Sequence, residues 1–151
     1  MRVVIQRVSS STVTVEDKVI GKIGKGLMIL VGFEAADSQD DIQWVSGKIC
    51  RLRIFDDENG IMNLPVTEVN GELLVVSQFT LHANIKKGNR PSYIRAADPN
   101  NAIPLYQQFI EQLSLDAKTE IQTGKFGAHM NVSLINDGPV TIIIDSKNRA
   151  F

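Results

Sequence analysis

The sequence predicts an α+β fold, and three observations carry that prediction. Stretches rich in Val, Ile, Thr and Ser occupy both ends of the chain, only two segments repeat apolar residues at helical spacing, and short turns join most of the extended runs. These features predict seven or eight strand segments in a predominantly antiparallel or mixed sheet, packed with two amphipathic helices. The 151 residues, 43% hydrophobic and 22% charged, suit one domain over residues 1–151 with enough apolar surface for a core.

Arg2 to Ile23 reads as a hairpin, two β-rich runs broken at Glu16, Asp17 and Lys18. Leu27 to Val31 is a continuous apolar run of strand length, the pattern of a central strand covered on both faces. Ser38 and Asp41 mark a helix start, after which Ile42, Val45, Ile49 and Leu52 recur at helical spacing, with Trp44 and Cys50 near the buried edge. Asp56 to Gly60 is an acidic turn that lacks the alternating ligands and distal glutamate of a calcium loop. Glu72 to Leu81 reads as a strand and His82 to Pro91 as a polar loop. Asp98 and Pro99 open the second helix, whose apolar face is Ala102, Leu105, Phe109 and Leu113, with Pro104 early enough to be accommodated. From Lys118 to Asp145 alternation returns: Met130, Val132 and Leu134 face one way and Asn131, Ser133 and Ile135 the other, before a hairpin around Asn136 to Pro139.

Composition excludes several classes of function. No run approaches the roughly 20 apolar residues that span a bilayer, and Met1 to Arg7 lacks the apolar stretch of a signal peptide, so a soluble cytoplasmic protein without membrane contact is expected. One cysteine, Cys50, precludes an intramolecular disulfide and fits a reducing compartment. A net charge of −1 argues against a broad basic surface for DNA, although Lys86, Lys87, Arg90 and Arg95 form a local basic run compatible with either phosphate contact or plain solvation.

The usual catalytic inventories are missing. Gly21, Gly24 and Gly26 have the wrong spacing for a phosphate-binding loop. The two histidines, His82 and His129, and the single cysteine are too scattered for a zinc site, and read best as surface or hydrogen-bonded residues. No nucleophile elbow accompanies Ser77 or Ser92. Two patterns remain. Ser77-Gln78-Phe79-Thr80 sets polar side chains at the end of an apolar strand, and Asn136-Asp137-Gly138-Pro139-Val140-Thr141 sets Asp-Gly-Pro between β-branched runs. On residue types alone the first pattern reads as a strand running out into solvent, and for the second composition favours a plain tight turn.

With their flanks, the two patterns resemble the D-aminoacyl-tRNA deacylase family along essentially the whole chain. The similarity begins at Met1-Arg2-Val3-Val4-Ile5-Gln6-Arg7-Val8 and continues through Ser77-Gln78-Phe79-Thr80-Leu81 and Gly88-Asn89-Arg90-Pro91-Ser92-Tyr93. It ends in Gly124-Lys125-Phe126-Gly127-Ala128 and Asn136 to Thr141. One departure is His129, where an acidic residue often follows Gly-Ala in the family.

The resemblance implies a homodimeric hydrolase with its site at the subunit interface, acting on the acceptor end of aminoacyl-tRNA without metal or organic cofactor. It implies a cis Gly138-Pro139 bond in a turn that enters the partner's pocket, braced by Arg7, admitting D and glycyl esters and excluding L side chains by rigid main chain. By the same resemblance Phe79 and Thr80 supply backbone N–H groups to the oxyanion, and Ser77 and Gln78 orient the site. An unassisted hydroxyl is a weak nucleophile and the sequence offers Thr80 no base, so a positional role is expected for it. Phe126, Ala128 and Met130 are expected to line the terminal adenosine pocket, and Lys86, Lys87 and Arg90 to grip acceptor-end phosphates. Three rivals fit the residues less well: a non-catalytic RNA-binding module, an L-selective esterase and a purely structural dimerisation domain.

Overall fold

The computed structural model describes residues 1–150. Strands β1 (Arg2–Val15) and β2 (Lys18–Ile23) form the expected hairpin. Glu16 and Asp17 both take positive φ, 48° and 61°, the turn handedness that matches strand twist in a two-residue hairpin loop. Strand β3 (Gly26–Gly32), α1 (Gln39–Arg51), the short pair β4 (Arg53–Asp56) and β5 (Met62–Pro65), and β6 (Glu72–Ser77) follow. A 3₁₀ turn (Phe79–His82), α2 (Pro99–Ala117), β7 (Gln122–Thr123) and the long β8 (Asn131–Asp145) complete the chain.

The long β1 organises the sheet. One of its edges is shared, residues 2–8 pairing with β3 and residues 11–15 with β2, while its other edge carries β8 along almost its whole length. All these pairings are antiparallel; β6 then runs parallel to β3, and β7 parallel to β6. The mixed sheet curls until Gly21 of β2 backs onto the carbonyl of Thr123 in β7, giving a nearly barrel-like form. The apolar run Leu27 to Val31 lies in its centre: Leu27, Met28, Ile29 and Val31 are buried on alternate faces. One face packs with Val3, Ile5 and Val75 against Ile42, Ile49, Phe109 and Leu113 of the helices; the other closes over Val8, Val13, Met28 and Leu74. Each such aliphatic side chain contributes roughly 1.5–3 kcal/mol when fully buried.

The helices start where expected. The Asp41 carboxylate accepts the backbone N–H of Ser38 at 2.9 Å, satisfying an end donor, and Asp40 and Asp41 oppose Lys48 and Arg51 across the helix dipole of α1. Asp98 accepts the N–H of Asn100 at 2.9 Å ahead of Pro99, and α2 runs unbroken through Pro104 to a left-handed Lys118. Burial pushes the Cys50 thiol up to about 11, assisted by the charge of Asp116 and opposed by Arg51. No helix among the described residues is long and apolar enough to cross a membrane.

Three expectations need correction. Asn136 to Pro139 is not a hairpin: β8 continues past it on the same partner strand, with Gln6 opposite Thr141 and Val8 opposite Asn136. The four residues from Asp137 to Val140 therefore loop out opposite Arg7 alone, a large bulge within one strand. The strand expected over Glu72 to Leu81 ends at Ser77, where the chain tightens into the 3₁₀ turn. His82 is neither exposed nor hydrogen-bonded; it is buried, and neither ring nitrogen has a partner.

Candidate active site

The end of β6 opens one wall of an apolar cleft of about 580 Å³. Gln78 keeps one last sheet bond, its N–H donating to the Val31 carbonyl at 2.7 Å, before the backbone turns away from β3. The first bond of the turn runs from the Leu81 N–H to the Gln78 carbonyl at 3.3 Å, so the N–H groups of Phe79 and Thr80 precede any bond within the turn. Gly32 permits this geometry, because a Cβ there would stand 2.7 Å from the Gln78 carbonyl oxygen and 3.0 Å from the His82 ring. On the far side, Arg2 is anchored on Asp145 at 2.8 Å and donates to the Leu81 carbonyl at 2.7 Å. The turn is thus held from two strands.

Within it, the Gln78 amide donates to the Thr80 hydroxyl. Phe79 stays 56% exposed and meets Tyr93 edge to face, ring centroids 5.0 Å apart, which joins the turn to the following loop. Phe126, Ala128, His129 and Met130 form the opposite wall. Phe126 rests on Tyr106 at 5.8 Å, and Tyr106 is fixed by donating its hydroxyl to the Val75 carbonyl at 3.2 Å. Burial pushes the Tyr106 phenol up to about 12, so it stays a neutral donor.

Gly138 and Pro139 are exposed and belong to a separate feature. Their peptide bond is cis, and Gly138 takes φ +140°. Arg7, buried beneath them, donates from Nε to the Asp137 carbonyl at 3.0 Å and from Nη1 to the Ile54 carbonyl at 2.7 Å, with the Asp56 and Asp137 carboxylates each 3.5 Å away. Asn136 clamps the base of the bulge, its amide donating to the carbonyls of Arg7 at 3.0 Å and Val140 at 2.9 Å. A Cβ on Gly138 would lie 2.8 Å from the Val140 nitrogen and 3.3 Å from the Arg7 guanidinium.

Lys86, Lys87 and Arg90 are exposed on a loop cross-tied by paired backbone bonds of 2.8 and 2.9 Å between Asn84 and Ser92. Arg95, the fourth cation of the run, instead grips Glu34, with Nη2 at 2.8 Å and Nε at 2.9 Å from Oε1.

The chain thus brings Ser77, Gln78 and Phe79 together with Phe126, Ala128 and Met130 around one cleft, with Thr80 behind it on the Gln78 amide. Arg7, Gly138 and Pro139 form their own cluster and do not line that cleft. Sequence reasoning missed the clamp by Asn136, which a hairpin reading hides. It also missed the wall formed by Tyr93 and the buried His82 beside Glu34. Among the described residues, no group of three or more His, Cys, Asp or Glu is placed to hold a metal ion.

Comparison with known proteins adds an independent observation. The family model described as D-Tyr-tRNA(Tyr) deacylase matches residues 4–145. A protein of Flavobacterium psychrophilum named D-aminoacyl-tRNA deacylase is 63% identical over 99% of each chain. A solved structure named c-Myc DNA Unwinding Element Binding Protein is 40% identical with a TM-score of 0.90, covering 96% of this chain and 98% of its own. A second, described as a probable eukaryotic D-amino acid tRNA deacylase, shares the fold at 18% identity with a TM-score of 0.80, covering 95% and 97%.

Proposed function

The chain belongs to the D-Tyr-tRNA(Tyr) deacylase family, and from that premise we propose a site in which the cleft of one subunit is completed by the Gly138-Pro139 turn of a second. The protein is a D-aminoacyl-tRNA deacylase, a hydrolase acting on an ester bond. The observation that carries the composite reading is the separation just described: the cleft and the braced turn are both built, yet do not meet within one chain.

The terminal adenosine lies in the cleft against Phe126, Ala128 and Met130, whose apolar faces hold a base. That pose directs the ester carbonyl to the start of the 3₁₀ turn. The Phe79 and Thr80 N–H groups stabilise the oxyanion, and Ser77 and Gln78 keep that backbone in place. An aminoacyl ester is already activated, so orientation and charge stabilisation supply most of what the reaction needs. Water adds to the carbonyl carbon, assisted by the ribose 2′-hydroxyl of the substrate. The bond from carbonyl carbon to ribose oxygen breaks, and the departing oxygen takes the proton, leaving free D-amino acid and tRNA. Thr80 serves by position, a reading supported by its hydroxyl being engaged by the Gln78 amide.

Carbonyls of the partner's turn receive the substrate's α-amino group, and the same rigid main chain fills the space an L side chain needs. Glycine has no side chain to exclude and enters as well. Lys86, Lys87 and Arg90 meet the acceptor-end phosphates, a role supported by their exposure on a tied loop in a chain of net charge −1. Duplex DNA is not a partner in this reading, which requires no metal or organic cofactor.

The test is release of tyrosine from D-Tyr-tRNA and L-Tyr-tRNA by catalytic amounts of protein, with and without chelator. Rapid turnover of the D ester alone, insensitive to chelator, is expected. Equal release from both esters would contradict stereoselection, and binding without release would favour an RNA-binding module.

A further inference from the structure

A single carboxylate oxygen has two claimants beside the catalytic turn. Oε1 of Glu34 accepts both Arg95 contacts, at 2.8 and 2.9 Å, and lies 3.6 Å from Nδ1 of His82. His82 closes the 3₁₀ turn that begins at Phe79, and it is 2% exposed with both ring nitrogens unpartnered. A buried polar group without a partner is costly in a native fold and points to a contact made in another state. Glu34 approaches the imidazole at Nδ1, Gly32 packs against the ring without a side chain, and Arg2 with Asp145 engages the turn from the Leu81 side. Glu34 is within about 1 Å of hydrogen-bonding distance to the imidazole. The same oxygen is engaged by Arg95, whose side chain is 57% exposed on the cationic loop that ends in the cleft wall.

We propose that His82 is a positioning residue coupled to substrate binding through Glu34 and Arg95. When an acceptor-end phosphate draws Arg95 away, Oε1 of Glu34 is released and accepts Nδ1–H of His82. The turn bearing Phe79 and Thr80 is then fixed at its C-terminal end as well as at Leu81. Phosphate engagement thereby improves the oxyanion site, so that turnover and not binding alone responds to the nucleic acid. The inference rests on the reading of that turn as the oxyanion site.

The signed consequence is unusual: removing a cation from the binding loop should accelerate a substrate that has no phosphate. Arg95→Ala is to be compared with the native enzyme on 3′-O-D-tyrosyl-adenosine at saturation and on full-length D-Tyr-tRNA. On the adenosine ester, kcat should rise by roughly two- to tenfold, the size of one ordinary net hydrogen bond gained. On the tRNA, KM should rise. The gain should vanish in Arg95→Ala/His82→Leu and in Arg95→Ala/Glu34→Leu, the second of which leaves no side-chain acceptor for the imidazole. His82→Leu should fold, because the imidazole makes no hydrogen bond that leucine would forfeit. An Arg95→Ala enzyme no faster than native on the ester, or a gain that survives in either double variant, overturns the proposal. Failure of the native enzyme to release D-tyrosine from tRNA would instead sink the reading on which it rests.

Discussion

Replacing Gly138 with alanine places the smallest possible side chain where the turn has no room for one. At φ +140° an L residue pays about 1–3 kcal/mol in backbone strain alone. The new Cβ, 2.8 Å from both the Val140 nitrogen and its Cγ2, adds overpacking of about 1–3 kcal/mol. Against this stand the bonds of Arg7 and Asn136 to the bulge, about 0.5–1.5 kcal/mol each for ordinary bonds and more for the guanidinium. The two sides are comparable, so the bulge yields instead of holding its shape. Its exposure on one strand lets it do so without disturbing the core, so the cost is capped by those three bonds at about 1.5–4.5 kcal/mol, a drop in melting temperature of about 3–18 °C. A displacement near 1 Å at a positioned substrate is enough for about a hundredfold loss of rate. Single-turnover release from D-Tyr-tRNA and L-Tyr-tRNA, beside a thermal melt, is the assay. The D rate should fall about a hundredfold and the D to L ratio collapse. A variant that melts normally and keeps the native ratio would refute the role given to this turn.

Three further outcomes follow from individual contacts. Thr80→Ala removes only a hydroxyl held by Gln78, so the deacylation rate should fall by less than about tenfold; complete loss with tRNA binding intact would make Thr80 a nucleophile. Single alanine variants of Lys86, Lys87 and Arg90 should each make the salt dependence of kcat/KM shallower by about 0.7–0.9 in log–log slope, measured between 50 and 200 mM salt. Burial works to raise the Asp41 carboxyl, but its bonds from Lys147, the Ser38 backbone and the Ser146 and Ser38 hydroxyls outweigh that and hold it well below the usual range. The stability it contributes is therefore present above its unfolded value of about 4 and lost as pH falls towards the native one. Urea midpoints should drop from pH 5 to 3, and Asp41→Asn should be less stable at pH 7 with a flatter profile.

What sequence revealed divides along local and non-local lines. The hairpin at Glu16 and Asp17, the buried run Leu27 to Val31 and the starts of both helices at Ser38 and Asp98 rest on signals within a few residues, and these are the elements observed. Asp137-Gly138 is also a strong local turn signal, yet the strands flanking it pair with β1 and not with each other, and no local pattern reports which partner a strand takes. The strand expected to reach Leu81 stops at Ser77 because Gly32 lets the chain close down at Gln78, a contact between residues far apart in sequence. The cleft residues Ser77, Gln78, Phe79, Phe126, Ala128 and Met130 were legible only through resemblance, since apolar and small polar side chains announce no chemistry of their own. The burial of His82 was not legible, because it depends on packing against Gly32 and Glu34, residues about fifty positions away in sequence.

The central claim is that each site is assembled from two copies of the chain, and subunit mixing tests it most directly. Gly138→Ala spoils the turn, and Ala128→Trp fills the cleft while leaving the turn intact. Each variant alone should be nearly inactive on D-Tyr-tRNA. Co-refolded in equal amounts, they should regain about a quarter of native activity, since half of randomly assorted dimers would carry one intact cleft facing one intact turn. A mixture that stays as inactive as its components, although size analysis shows the subunits have exchanged, would contradict a site shared between subunits.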